Sequence, residues 1–167
     1  MPQNIAVRKA LIADIPALEA IKPVHEPGYF ERCFAEQDEG KREILIAALD
    51  GRDVGYGFLN WRPQYALYKK LGIPEIQDLN VLPEARCNGV ASAIINACED
   101  RAREQGDEMI GISVGLHKDY GPAQRLYVKR GYVPDGYGVT YDRETVQCGT
   151  MHLIDDDLRL MMVKPLC

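Results

Sequence analysis

The sequence predicts an α/β (α+β) fold: a mixed, mostly antiparallel, twisted central sheet flanked by helices. Three observations carry this reading. Short β-rich runs alternate with amphipathic helical stretches along the chain. Asp50-Gly51, set between two apolar runs, marks a tight hairpin turn. A strand, a glycine-bearing loop, a helix, a strand and a second helix then follow in order between Glu75 and Gly131. With 167 residues, 46% hydrophobic and 27% charged, residues 1–167 are expected to form a single domain with a sizeable core.

Residues Ile5–Lys9 alternate apolar and polar side chains and read as a short strand, after which Asp14 is expected to cap a helix carrying Ile15, Leu18 and Ile21. Pro23 and Pro27-Gly28 end that helix, and residues 29–37 suggest a second short one before Gly40. Arg42–Leu49 is β-rich, and residues 54–61 return after the Asp-Gly turn. Residues 63–72 read as a loop or short helix, and Glu75–Val81 as the next strand. Val90, Ala91, Ile94, Ile95, Cys98 and Ala102 recur at helical spacing over residues 90–105, which Gly106 ends. Residues 109–114 suit a buried strand, and residues 122–129 a helix with Ala123, Leu126 and Tyr127 on one face, stopped by Gly131. From Tyr132 onward the pattern is β, with a break at Gly136 and Gly138, a polar excursion over 142–157 and a final strand over 158–163.

Composition narrows the function classes. A net charge of -5 offers no broad basic surface, which disfavours nucleic acid as a partner. No apolar run approaches the roughly 20 residues a bilayer span needs, so no membrane partner is expected. The five cysteines (Cys33, Cys87, Cys98, Cys148 and Cys167) are scattered without a C-x-x-C pair and read as reduced thiols of a cytoplasmic protein. His25, His117 and His152 lack zinc-site spacing, and no metal is expected.

The most informative stretch is V-L-P-E-A-R-C-N-G-V-A, Val81 to Ala91: a strand end, a tight loop and Gly89 opening a helix. Unpaired N–H groups of a helix's first turn, the helix dipole and a residue without a side chain together suit a phosphate group. A P-loop is excluded, because no G-x-x-x-x-G-K-[ST] sequence is present.

Two segments carry a family resemblance. Arg86-Cys87-Asn88-Gly89-Val90-Ala91 matches the acyl-CoA loop Q/R-x-x-G-x-G/A, and the run from Ala123 through Leu126-Tyr127 to Gly131-Tyr132 matches A-x-x-L-Y-x-x-x-G-F/Y. On these motifs the chain resembles the GNAT superfamily of N-acetyltransferases. The resemblance implies an acyl-CoA N-acyltransferase-like fold whose sheet splays between the strands ending at Val81 and Val114. It also implies acetyl-CoA as cosubstrate and direct transfer of its acetyl group to a primary amine, of a small molecule or a protein, in a ternary complex. A noncatalytic acyl-CoA-binding or sensing module is the alternative.

By the resemblance, main-chain N–H groups of Cys87, Asn88, Gly89, Val90, Ala91 and Ser92 hold the pyrophosphate, with Arg86 at the loop entrance supplying charge. A strand bulge frees backbone groups near Leu79 and Val81 for the pantetheine arm. Ala123 belongs to the second motif, Tyr120 stands where many relatives have asparagine, and Tyr127 is the general acid. Glu75 is the first-ranked base, with Asp78 as competitor and His117 behind them. Strand alternation puts Glu75 and Asp78 on opposite sides unless a bulge intervenes. Cys87, in the pyrophosphate loop, would lie far from the acetyl group.

Glu26, Glu31, Glu36, Asp38 and Glu39 make the early region acidic, which either favours a cationic amine or is a solvated helix face. Trp61, Tyr65 and Tyr68 either line an acceptor pocket or pack the core. The final strand can pair across a homodimer, as in many relatives.

Overall fold

Asp50 and Gly51, with φ of 50° and 85°, make the tight turn that their pairing signals, and it joins strands β2 (Arg42–Leu49) and β3 (Arg52–Asn60). The computed structural model describes residues 2–23 and 26–167; His25 lies outside the described residues. The other strands are β1 (Ile5–Lys9), β4 (Glu75–Val81), β5 (Met109–Gly115), β6 (Val133–Tyr141), β7 (Glu144–Thr145) and β8 (Leu158–Pro165). They form one 8-stranded sheet in the order β1-β2-β3-β4-β5-β8-β6-β7, antiparallel throughout except for β4 against β5.

Among the described residues, five α-helices cover the two faces. On one, α4 (Val90–Glu104) and α5 (Gly121–Lys129) bury Val90, Ile94, Ile95, Cys98 and Tyr127 against Leu45, Leu59, Ile76 and Ile112. On the other, α1 (Ile15–Ile21) and α2 (Tyr29–Asp38) bury Leu18, Phe30 and Phe34 against Ile44, Ile46, Tyr56 and Phe58. Here too α3 (Ala66–Leu71) packs Tyr65 and Tyr68 on Met161. Among the described residues no helix is long and apolar enough to cross a membrane.

The structure departs from the sequence reading at several places, each with a local cause. Asp14 does not cap α1: its carboxylate accepts from Leu11 N at 2.7 Å and from both terminal nitrogens of Arg8, closing the preceding 3-10 turn instead. Gly136 and Gly138 do not break the chain, because β6 runs through them and absorbs both as a register shift against β8. Residues 63–72 contain α3, and a Cβ on Gly111 of β5 would come within 2.5 Å of the Tyr68 ring. The Tyr68 hydroxyl donates to Met162 O at 2.5 Å, so this aromatic pair is core packing.

Two glycines of β3 set how closely α4 approaches the sheet. A Cβ at Gly57 would lie 2.9 Å from Ile94 Cγ2, and one at Gly55 would lie 3.0 Å from Val90 Cγ1. Because α4 starts directly at the glycine loop, this close seat fixes where that loop meets β4. Gly57→Ala is therefore expected to destabilise the fold by about 1–3 kcal/mol, the range for overpacking a well-filled core. Urea unfolding of the purified variant measures this, and an unchanged midpoint would mean that α4 has room to retreat.

Candidate active site

The glycine loop is built from backbone conformations few residues tolerate. Gly89, at the N-cap of α4, has φ 85°, and Cys87 has φ 64°. A Cβ at Gly89 would meet nothing nearer than Ile5 Cδ1 at 3.7 Å, so conformation rather than space calls for glycine there. Asn88 turns inward, its amide nitrogen donating to the carbonyls of Ala85 at 3.0 Å and Arg86 at 3.1 Å. Among the described residues, no amide from Cys87 to Ser92 donates to an acceptor of the chain, whereas Ala93 N already bonds Gly89 O at 3.0 Å. These free N–H groups, at the positive end of a 15-residue helix, form an anion cradle. Arg86 stands exposed at its entrance, with Nε on Val81 O at 3.2 Å.

Beside the cradle the sheet opens. Strand β4 pairs with β5 only at Glu75↔Gly111 and Ile76↔Ile112, and beyond those rungs the two strands part. The register of β3 against β4 shifts between Tyr56 and Phe58, and Asp78 sits in the shift with φ 50°. This is the β4 bulge. Leu82 N bonds Val54 O on the β3 side, so alternation turns the backbone groups of Val81, and of Leu79 before it, toward the gap. A cavity of about 670 Å³ passes through the opening and is lined from both sheet faces.

Tyr127 lines this cavity from α5, 7% exposed, with its hydroxyl hydrogen-bonded to no group among the described residues. Burial pushes its pKa up to about 12, against the lowering effect of nearby Arg159. Ala123, one turn earlier, is half-buried against the same core. Gln124 Nε2 ties α5 to the end of β5 through Gly115 O at 2.9 Å. Tyr120 also lines the cavity, its ring lying where a Cβ on Gly115 would be and its hydroxyl donating to Asp156 Oδ1 at 2.9 Å. His117 bonds the same oxygen at 3.0 Å and does not line the cavity.

The bulge corrects the expectation that Glu75 and Asp78 face opposite sides: both lie on the face that carries α1 and α2. Asp78 lines the cavity, and its oxygens accept from Tyr56 Oη at 2.8 Å, Tyr29 Oη at 3.0 Å, Asn80 Nδ2 at 2.8 Å and Lys22 Nζ at 3.4 Å. With its lone pairs so occupied, it holds the cavity wall together. Glu75 is 0% exposed beneath the floor, with Oε2 accepting from Gln77 Nε2 at 2.8 Å and Oε1 without a hydrogen bond. Burial raises its pKa above the usual carboxylate range, partly offset by Arg143 and then by Gln77 and Arg159.

The acidic early residues do not make the cavity acidic: Glu26 pairs with Arg32 and Glu36 with Arg42. Trp61, Tyr65 and Tyr68 do not line it, being packed into the core. The sequence reading missed Tyr29, Tyr56, Arg143 and Arg159. The tyrosines look like ordinary core positions of a helix and a strand, Arg143 falls in a polar stretch without periodicity, and Arg159 looks like an ordinary position of the final strand.

Comparison with known proteins agrees with this geometry. A sequence profile of the Acetyltransferase (GNAT) family matches residues 8–132, and the chain belongs to that family. It is 32% identical over 76 residues to an aminoalkylphosphonate N-acetyltransferase of Salmonella typhimurium, and the match covers 46% of this chain. The chain spans about half the length of that curated relative, 48% of it. Among solved structures, an N-acetyltransferase from Staphylococcus aureus superposes with a TM-score of 0.73 at 16% identity, over 98% of this chain and 99% of that one. A ribosomal-protein-alanine N-acetyltransferase from Brucella melitensis gives 0.71 at 17% identity, over 96% and 99%. The yncA protein of Salmonella typhimurium, solved with its cofactor acetyl-CoA, gives 0.68 at 18% identity, over 98% and 95%. They share its fold.

Because the folded state raises the pKa of Glu75, its contribution to stability is full below the unfolded carboxylate value and is lost as pH rises through the folded one. Glu75→Gln, which keeps the shape without the charge, is expected to match the wild type near about pH 4 and to exceed its melting temperature near about pH 8. A pH series of thermal unfolding curves checks this; a gap that stays constant with pH would contradict it.

Proposed function

We propose that the chain is a single N-acetyltransferase domain that moves the acetyl group of acetyl-CoA to a primary amine by direct attack in a ternary complex. The observation that carries this is the junction of free amides from Cys87 to Ser92 with the β4–β5 gap that Tyr127 lines. The residues present fit the cosubstrate. The cradle and Arg86 suit its diphosphate, and the backbone edges of Leu79 and Val81 suit an amide-bearing arm. Ala123 and Tyr120 flank the inner end. When bound, acetyl-CoA supplies an acetyl group activated as a thioester.

The chain must then manage two protons, one leaving the amine and one arriving at the sulfur. Tyr127 keeps its phenolic proton through neutral pH and gives it at the sulfur. Glu75 takes the amine's proton. Its raised pKa suits a base, and its burial beneath Gln77 means that the proton reaches it through solvent rather than by direct contact. Asp78, saturated by donors, is the poorer base. The five cysteines, all free, support a reducing cytoplasmic setting.

Thiol release from acetyl-CoA in the presence of a panel of amines tests the reading. Calorimetric binding of coenzyme A without turnover on any amine would instead mark a noncatalytic module. Tyr127→Phe is expected to lower kcat by about ten- to thousandfold with little change in KM for acetyl-CoA, the range for loss of a general acid. Wild-type turnover in that variant would remove the role.

A further inference from the structure

The charged groups lining the cavity pair off everywhere except at one end. Lys22 Nζ is 3.4 Å from Asp78 Oδ1, Arg32 NH2 is 3.1 Å from Glu26 Oε1, and Arg42 meets Glu36. What is left over is Arg143 and Arg159, with Glu75 alone behind them. Arg143 NH2 lies 3.8 Å from Glu75 Oε1, too far for a hydrogen bond, and that oxygen has no other partner. Asp156, which feels Arg159 without an ion-pair contact to it, is engaged by His117 and Tyr120 and does not line the cavity. No carboxylate that lines the cavity pairs with either arginine, and their positive charge faces the space that Tyr127 lines.

Both arginines come from segments that the acyl-donor cradle does not use. Arg159, on β8, bonds Asp156 O through Nε at 2.7 Å and Ser113 Oγ through NH1 at 3.1 Å, and NH2 is left without a hydrogen bond among the described residues. Arg143 comes from the β6–β7 turn, where Asp142 and Arg143 both have positive φ, 47° and 65°. Asn-Gly or Asp-Gly would fill such a turn without strain, so an arginine there is conformationally expensive. Neutralising one carboxylate does not require two arginines; a planar oxyanion or a phosphate group would use the forked donors of both.

Resting on the N-acetyltransferase reading, we propose that Arg143 and Arg159 form an anion subsite for the acceptor, so that the amine acetylated here is small and carries its own oxyanion. Polyamines and other polycations would meet the surplus charge as repulsion.

The test is thiol release at saturating acetyl-CoA with acceptors that differ in one group: propylamine as the neutral-tailed reference, β-alanine, taurine and O-phosphoethanolamine as the anionic ones, and spermidine as the polycation. At least one anionic amine is expected to exceed propylamine in kcat/KM by about tenfold or more, the scale of a charge-assisted contact; which one does so identifies the oxyanion. Arg143→Gln is expected to cut that ratio about tenfold through acceptor KM, with KM for acetyl-CoA unmoved, and Arg143→Lys to restore part of it. A role confined to balancing Glu75 would lower both amines alike and leave the ratio in place. A wild-type preference for propylamine or spermidine overturns the subsite but leaves the N-acetyltransferase reading standing. No thiol release with any amine overturns both. The wild-type ratio decides the matter even where a variant folds poorly.

Discussion

Parallel pairing between β4 and β5 lasts for two rungs, Glu75↔Gly111 and Ile76↔Ile112, and almost every functional feature follows from where it stops. The bulge at Asp78 turns β4 out of register with β3, and a positive φ at a non-glycine residue is held there by four hydrogen bonds onto one carboxylate. Their loss would leave the hydroxyl of fully buried Tyr56 without its acceptor, at a cost of about 1–3 kcal/mol. The carboxylate that looks like a base in the sequence is thus the pin of the opening.

The gap also divides labour between the faces. Helices α4 and α5 bring the anion cradle and the phenol of Tyr127 from one side, while α1, α2 and the β6–β8 region bring the charged walls from the other. A group held on the first face meets a group held on the second only through the opening. Buried Glu75 belongs to the second face. The same burial that leaves its Oε1 unpaired raises its proton affinity, so its ionisation costs stability.

Local chemistry made most of the fold legible. Asp50-Gly51 demanded a hairpin, the recurrence from Val90 to Ala102 demanded a helix, and Gly89 marked the turn into it; each is decided by a few neighbouring residues. Where the reading slipped, a distant group had intervened. Asp14 was drawn to Arg8 rather than to its own helix, and Tyr68 was drawn over Gly111 into the core. Gly136 and Gly138, which suggest a break, were carried through the sheet by β8.

The sequence by itself determined the strand and helix order, the glycine turn that opens α4 and the face of α5 that carries Tyr127, because a loop conformation and a helical face depend on contiguous residues. Only the tertiary structure decided that Glu75 and Asp78 share a face, that Glu26 and Glu36 are matched by arginines, and that Arg143 and Arg159 line the same cavity as Tyr127. Those facts depend on a one-residue slip between β3 and β4 and on contacts among segments far apart in the chain. Alternation within a single strand cannot reveal a slip against its neighbour, and charge along a sequence does not say which charges meet.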